Sequence, residues 1–308
     1  MNVFVTGGTG FVGREIVREL HDAGHSARLL VRNANPAVLR LAERFHAEIR
    51  QGDLLDAASL PKTMQGTEAV IHLVGIISEF DGQTFENIHA RGTKNVVQAA
   101  LIAGVKRFVH MSALGTRADA VSRYHQTKWA AEQAVSESLL NWTIFRPSLI
   151  YGPDDQFVNL FARMAKWSPV LPVMAGKSVT FQPVTVQDVA RCFVRALTEP
   201  RSFRQVFDVC GPDRLTLKEI LNAILKATNQ KCLLIPVPFE LSKPVAALME
   251  FVYSKLLKKP PPLNRDQLQM LQEDNVGESQ WTTDLFKLEQ TPFLQGIETY
   301  LEQPSTRV

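Results

Sequence analysis

Short apolar runs alternate with apolar stripes at helical spacing along the first two thirds of the chain. Val3 to Val5 has the form of a buried strand, and the stripe from Phe11 to His21 predicts a helix ended by Ala23-Gly24. Ala27 to Arg32 reads as a second strand, Pro36 to His46 as a second helix, and His46 to Arg50 as a short strand running into Gly52-Asp53-Leu54. Ala69 to Gly75 is a continuous apolar run of the kind buried on both faces. A helix with Asn87, Gly92, Thr93 and Asn95 follows, then a strand from Arg107 to Ser112, and then a helix carrying Tyr124 and Lys128. Leu139 to Phe145 leads into a sixth strand. Strands and helices in alternation, joined by short connections, predict an α/β protein with a doubly wound parallel sheet.

The second half is less regular. Arg146-Pro147-Ser148 begins a crossing, and a loop from Gly152 to Phe157 precedes a helix through Trp167. Phe157, Phe161, Met164, Trp167 and Met174 make this region apolar; helix–core packing accounts for most of them, and any that line a pocket would favour a hydrophobic substrate. Val179 to Val184 returns to the core, with Gln182 and Pro183 expected near substrate. A helix from Val186 to Leu197, a strand from Gln205 to Val209 and a Thr216–Glu219 capping box opening a helix to Thr228 come next. From Lys231 the composition shifts: Leu233 to Pro238 reads as a strand and Phe239 to Leu257 as an apolar helix. Its stripe is Leu241, Val245, Leu248, Met249, Val252 and Leu256, flanked by lysines at 243, 255, 258 and 259. Packing on the neighbouring lobe explains such a helix, and contact of 239–259 with an anionic membrane surface or a membrane complex is the alternative. The tail predicts two helices, the last near Phe293 to Leu301.

The first candidate for chemistry is Thr6-Gly-Gly-Thr-Gly-Phe-Val-Gly13, set between the first strand and the first helix. Gly7 permits a tight turn, Gly10 lets backbone approach a phosphate, and Gly13 allows close packing of helix on strand. The helix start offers unpaired N–H groups to an anion, so Thr9, Phe11 and Val12 join the three glycines as the expected pyrophosphate cradle. The spacing is Gly-x-x-Gly-x-x-Gly, and its place after a strand and before a helix favours a dinucleotide site over an ordinary turn. The core is therefore expected to be Rossmann-like over residues 1–150, completed by about 179–210, with 151–178 and 211–308 as a smaller C-terminal substrate or partner lobe. Arg32 and Asn33 end the second strand where the adenosine ribose would lie, and Arg14 follows the last glycine. Guanidinium groups suit a 2′-phosphate, so NADP(H) is favoured over NAD(H), against the plain reading of solvated arginines. Asp53, with Leu54, is expected at the adenine, and a helix cap before Ala57 is the structural reading, compatible with the first. Val74 and Gly75 are expected near the nicotinamide ribose, and Pro147 beside the nicotinamide.

The second candidate is Ser112 at a strand end together with Tyr124-His-Gln-Thr-Lys128. Tyr and Lys four residues apart share a helix face, in many proteins merely a surface pair. Behind a dinucleotide turn they suit hydride-transfer chemistry. The ammonium of Lys128 would lower the Tyr124 phenol from about 10 and hold ribose, while Ser112 would orient a substrate oxygen. His72 and His110 lie inside apolar strands and read as satisfied core histidines.

Composition changes this picture little. The 308 residues are 45% hydrophobic and 21% charged, and the net charge of +3 is too slight to argue for nucleic acid. Cys192, Cys210 and Cys232 lack metal spacing and read as reduced thiols. With a strand beginning almost at Met1 and no membrane-length apolar run, the expected compartment is the cytoplasm, membrane association on its face being the alternative.

The glycine turn, Ser112, Tyr124-x-x-x-Lys128 and Phe145-Arg-Pro-Ser-Leu-Ile-Tyr-Gly152 together resemble the extended and atypical short-chain dehydrogenase/reductases, over essentially the whole chain. His110 to Gly115, Tyr124 to Trp129, Trp142 to Pro147, Phe157 to Ala162, Phe181 to Val184 and Asp188 to Ala190 look most like one branch of them. That branch holds the nucleotide-binding accessory subunit of respiratory complex I and its bacterial relatives. The resemblance implies a bound NADP(H) with Tyr124 and Lys128 at the nicotinamide, and either an oxidoreductase of a small apolar carbonyl or alcohol or a catalytically silent accessory protein. A nucleotide-sugar epimerase is a third, weaker option. Sugar dehydratases of the group place an acid directly after the strand-end Ser or Thr; Ala113 and Leu114 stand there instead, which argues against dehydration.

Overall fold

Strands apolar on both faces need cover on both faces. The computed structural model describes residues 1–175, 179–251, 253, 257–259, 261 and 264–301, less the side chains of Met174, Ala175, Leu241, Lys243, Val245 and Leu248. Its strands are β1 (Asn2–Thr6), β2 (Ser26–Val31), β3 (Glu48–Gln51), β4 (Ala69–His72), β5 (Arg107–Met111), β6 (Asn141–Pro147) and β7 (Ile150–Tyr151). There follow β8 (Val170–Ala175), β9 (Thr180–Phe181), β10 (Val184–Thr185), β11 (Gln205–Val209), β12 (Leu215–Thr216) and β13 (Leu233–Pro238). The helices are α1 (Phe11–Asp22), α2 (Pro36–Arg44), α3 (Leu60–Thr63), α4 (Gly92–Ile102), α5 (Arg123–Ser136) and α6 (Val158–Trp167). After them come α7 (Val186–Ala196), α8 (Leu217–Ala227), α9 (Phe239–Phe251), α10 (Arg265–Met270), α11 (Gln280–Phe286) and α12 (Phe293–Leu301).

Seven strands form one parallel sheet in the order β11-β6-β5-β4-β1-β2-β3. Alternation along β1 sorts its side chains onto two faces. Val3 and Val5 pack with Ile16 and Leu20 of α1, Phe193 of α7 and Phe286 of α11. Phe4 packs on the other side with Val70, Phe108, Val96 and Val97 of α4, and Val135 of α5. The chain runs outward from β1 in both directions, so the crevice between the carboxyl ends of β1 and β4 is the topological switch point where such sheets bind ligands. A third cluster lies beyond this sheet, with Tyr151, Val158, Phe181, Ile220, Ile224, Phe293 and Ile297 at its centre. It joins α6, α8 and α12, beside the parallel pair β8–β13 and the antiparallel pair β9–β12.

Some boundaries depart from expectation. The second helix stops at Arg44 because His46 turns to φ +50. The helix with Asn87 opens as a π-helical turn, Glu86–Arg91, before continuing as α4. Among its described residues the tail holds three helices rather than two, α10 to α12; six- and seven-residue helices present too few turns to register as a periodic stripe. The apolar helix at 239 is described to Phe251. Of its predicted stripe and lysines, the side chains of Leu241, Lys243, Val245 and Leu248, and Val252, Lys255 and Leu256 altogether, lie outside the described residues. No helix among the described residues is long and apolar enough to cross a membrane.

Candidate active site

The turn between β1 and α1 is built as its glycines require. Gly7 takes φ +76, and a Cβ there would stand 3.1 Å from the Val74 N, at the mouth of the β1/β4 crevice. A Cβ on Gly13 would fall 2.1 Å from the Gly7 carbonyl oxygen, so α1 reaches its turn only because the side chain is absent. Gly10 precedes α1 with extended backbone and no side-chain cap, and no acidic residue occupies the first turn. The N–H groups and positive end of α1 therefore meet no side-chain cap and no acid of their own first turn, which suits a pyrophosphate. Phe11 packs against Gly152, where a Cβ would meet its ring at 3.3 Å, and Val12 is buried under the turn.

The expected ribose-phosphate groups divide. Arg32 and Asn33 are exposed at the end of β2, and the Arg32 guanidinium has no hydrogen bond or ion pair among the described residues. Arg14 is engaged by the protein: its guanidinium donates to the Thr9 carbonyl at 3.0 Å and pairs with Asp154 at 3.0 Å. Asp53 does not cap a helix before Ala57, because the helix there starts only at Leu60. Its carboxylate instead accepts the Leu55 N–H at 2.8 Å, a local turn beside the buried Leu54.

Beyond the β4 end, Lys128 is buried under the loop that carries Val74 and Gly75. Its ammonium donates to the Met111 carbonyl at 2.8 Å and stands 3.2 Å from where a Gly75 Cβ would be. Burial pushes this ammonium down to about 8. His89, a residue that sequence reasoning passed over, meets the same point: its Nε2 lies 3.5 Å from the Gly75 Cβ position. Nε2 accepts the Ile76 N–H at 3.0 Å and Nδ1 contacts Thr127 Oγ1 at 2.9 Å. Burial, then Lys128, pushes His89 down to about 2, which keeps its ring neutral and tying the β4 loop to α5. Its place on the π-helical turn, unrelated to any apolar stripe, left no signal to find it.

Tyr124 sits on α5 with its ring edge-on to Phe85, His89 and His125, at centroid distances of 6.0, 5.2 and 5.2 Å. The expected lowering of its phenol by Lys128 does not hold. Burial, and then the charge of Asp266, push it up to about 12. Removal from water sets this direction, and the Asp266 carboxylate adds to it. Ser112 is buried at the β5 end, its N–H donating to the Phe145 carbonyl and its hydroxyl to Thr116 Oγ1 at 3.4 Å. Thr116 in turn contacts His125 Nδ1 at 3.5 Å, so Ser112 reaches the residue next to Tyr124 through one hydroxyl. Pro147 ends β6 beside them, its carbonyl accepting the Leu114 N–H at 2.9 Å.

Three other expectations need correction. Gln182 is not available to a substrate, since its side-chain amide donates to the Gly211 carbonyl at 2.8 Å and accepts the Gly277 N–H at 3.3 Å. Trp167 is 83% exposed rather than packed on a core. His72 is satisfied, with Thr6 Oγ1 at 2.6 Å and Thr93 Oγ1 at 3.0 Å, but both ring nitrogens of His110 are buried without a partner. His110 only stacks on His72, 5.3 Å between centroids.

Comparison with known proteins agrees with this geometry. Residues 7–200 match the family described as NAD(P)H-binding. The chain is 30% identical over 280 residues to the mitochondrial NADH dehydrogenase [ubiquinone] 1 alpha subcomplex subunit 9 of Arabidopsis thaliana, covering 88% of this chain and 70% of that one. It is 33% identical over 238 residues to a ceramide reductase of Caulobacter vibrioides, covering 77% and 73%. The fold is shared with a UDP-glucose 4-epimerase of Thermotoga maritima at TM-score 0.73 and 17% identity, over 98% of both chains.

Proposed function

The chain belongs to the NAD(P)H-binding family, and from that premise we propose that it is an NADP(H)-dependent reductase of a small, largely apolar carbonyl compound. The observation that carries this reading is the placement of Tyr124 and Lys128 on one face of α5, with the Lys128 ammonium against Gly75 at the mouth of the β1/β4 crevice. The bound nucleotide would supply the hydride. The Lys128 ammonium gives one hydrogen to the Met111 carbonyl and keeps others for ribose hydroxyls. A phenol held up to about 12 is protonated at neutral pH, so Tyr124 acts as the proton donor, the role that reduction needs. Ser112 at the end of β5 orients the substrate oxygen. Arg32, exposed and with a guanidinium that has no partner among the described residues, supports the preference for a 2′-phosphate, whereas Arg14 must share its guanidinium with Asp154 and the Thr9 carbonyl. The ceramide reductase among its relatives is consistent with an apolar substrate.

Titration with NADPH and NADH, followed by a carbonyl panel, tests the proposal. NADPH is expected to bind more tightly, and Arg32→Ala to cost roughly tenfold in NADPH affinity while leaving NADH unchanged, from the loss of a charge-assisted hydrogen bond. Tyr124→Phe is expected to retain NADPH and lose turnover. Equal turnover in that variant would remove Tyr124 from the chemistry.

A second reading is carried by the NADH dehydrogenase subunit among the relatives: an accessory protein of a respiratory membrane complex, in which the nucleotide stabilises the fold. It predicts slow nucleotide exchange, no turnover on any carbonyl, and recovery with membranes that is lost when 239–259 is altered.

A further inference from the structure

The first turn of α5 is seated by a residue from far along the chain. Asp266, on α10, accepts from the Ser122 hydroxyl at 2.8 Å and the Tyr124 N–H at 3.2 Å with one carboxylate oxygen, and from the Arg123 N–H at 2.9 Å with the other. Ser122 already caps α5 by accepting the His125 N–H, so Asp266 is an additional anchor rather than the ordinary cap. Beside it, Asn264 donates to the Ile77 carbonyl at 2.9 Å, which closes the same segment onto the loop that follows Gly75 and Ile76. Asn264 and Gln267 form a reciprocal capping box that fixes the start of α10 itself. A third link, Arg117 to Glu273 at 2.7 Å, ties the loop before α5 to the chain just after α10. A carboxylate at a helix N-terminus, accepting from two backbone N–H groups and a hydroxyl, forms strong charge-assisted bonds aligned with the helix dipole.

We propose that Asp266 is a positioning residue for the Tyr124–Lys128 pair, making the register of α5 against the β4 loop depend on the seating of α10. The inference rests on the reductase reading above. Asp266 thus holds the element that carries Tyr124 and Lys128, and Asn264 holds the loop that carries Gly75, so one short helix and its N-cap tie these two elements together. Among the described residues, the charged and titratable groups around Tyr124 are Asp266 from α10, His89 from the π-helical turn, His125 and Lys128 from α5, the Glu79–Arg123 pair at 3.6 Å, and the Arg117–Glu273 pair beside His125. Of these acids Glu79 and Glu273 are paired with arginines, and Asp266 is the one whose charge raises the phenol. Loss of the Asp266 charge therefore eases ionisation of the phenol, whereas loss of its hydrogen bonds frees the turn to shift.

The test compares Asp266→Asn with Asp266→Ala in the full chain. Tyrosinate absorbance is followed through alkaline pH, with Tyr124→Phe assigning the signal, alongside NADPH affinity and thermal unfolding. Asparagine keeps an acceptor oxygen without the charge. Both variants are expected to ionise Tyr124 at lower pH than the parent. Alanine is expected to weaken NADPH about tenfold, and asparagine to restore most of that loss. An unchanged Tyr124 titration in Asp266→Asn, or NADPH affinity unchanged in Asp266→Ala despite a lower melting temperature, would reduce Asp266 to a plain helix anchor and overturn the proposal. Failure of the parent chain to bind NADPH would instead defeat the reductase reading, and the tyrosine titration would still decide the role of Asp266. Should the alanine variant not fold, the asparagine titration decides alone.

Discussion

His72 and His110 are neighbours across β4 and β5, register partners whose rings stack, yet their energetics differ. His72 exchanges hydrogen bonds with two threonine hydroxyls, whereas the buried His110 nitrogens have no partner among the described residues. A buried polar atom without a partner has lost its water for nothing. His110→Phe keeps a flat ring in the stack and removes that penalty, so it is expected to leave stability unchanged or raise it by about 1 kcal/mol. His72→Phe strands the hydroxyls of Thr6 and Thr93 and is expected to cost about 1–3 kcal/mol. Denaturant midpoints of the two variants check this, and equal losses would show that the stack alone sets their contribution.

At the scale of elements, the meeting of α1 with its turn is the most demanding contact. Gly13→Ala puts a Cβ 2.1 Å from the Gly7 carbonyl, a contact relieved only by backing α1 away from the strand. Loss of nucleotide binding together with a large loss of stability is expected. Gly24, after α1, is the control: its φ is +75 but nothing lies within 4 Å of a Cβ there. Gly24→Ala is expected to cost about 1 kcal/mol, from the left-handed backbone alone, and to leave NADPH titration unchanged. The same reasoning shows what was hard to read. The Gly-x-x-Gly-x-x-Gly turn declares itself because Gly13 has no room for a side chain, Gly7 takes left-handed backbone, and Gly10 brings backbone close to the Gly7 carbonyl. The short α10 carries no apolar stripe, and its importance comes from a single carboxylate that meets α5 only after folding.

Four of the seven histidines lie inside the molecule. Burial holds His72 down to about 3, His89 to about 2 and His125 to about 4, and His110 well below its ordinary value. All four have folded values below the unfolded 6.5, so the unfolded chain takes up protons that the folded chain refuses. Stability is therefore expected to fall as pH drops below about 6.5, His72 and His89 each approaching about 1.4 kcal/mol per pH unit once the unfolded ring is fully protonated, with His110 adding in the same direction and His125 fading near 4. Melting temperatures at steps between pH 7.5 and 5 check the slope. His110→Phe should reduce it, and a flat profile would mean that these rings ionise freely in the native state.

The order of elements, the doubly wound parallel sheet and the glycine turn follow from local patterns of a few residues' reach: alternation, helical spacing, and glycine where a side chain has no room. Tyr124 and Lys128 were equally legible, because a helix puts residues four apart on one face. What the folded chain alone decided is the state of those groups. The phenol sits high and the ammonium low because of how deeply the fold buries them, a property no spacing encodes. His89, Asp266 and Asn264 join the candidate site through contacts between distant segments. Gln182 leaves it because Gly211 and Gly277 use both ends of its amide. Sequence pattern specifies which groups can meet a ligand, and desolvation with long-range hydrogen bonding decides which of them are free to act.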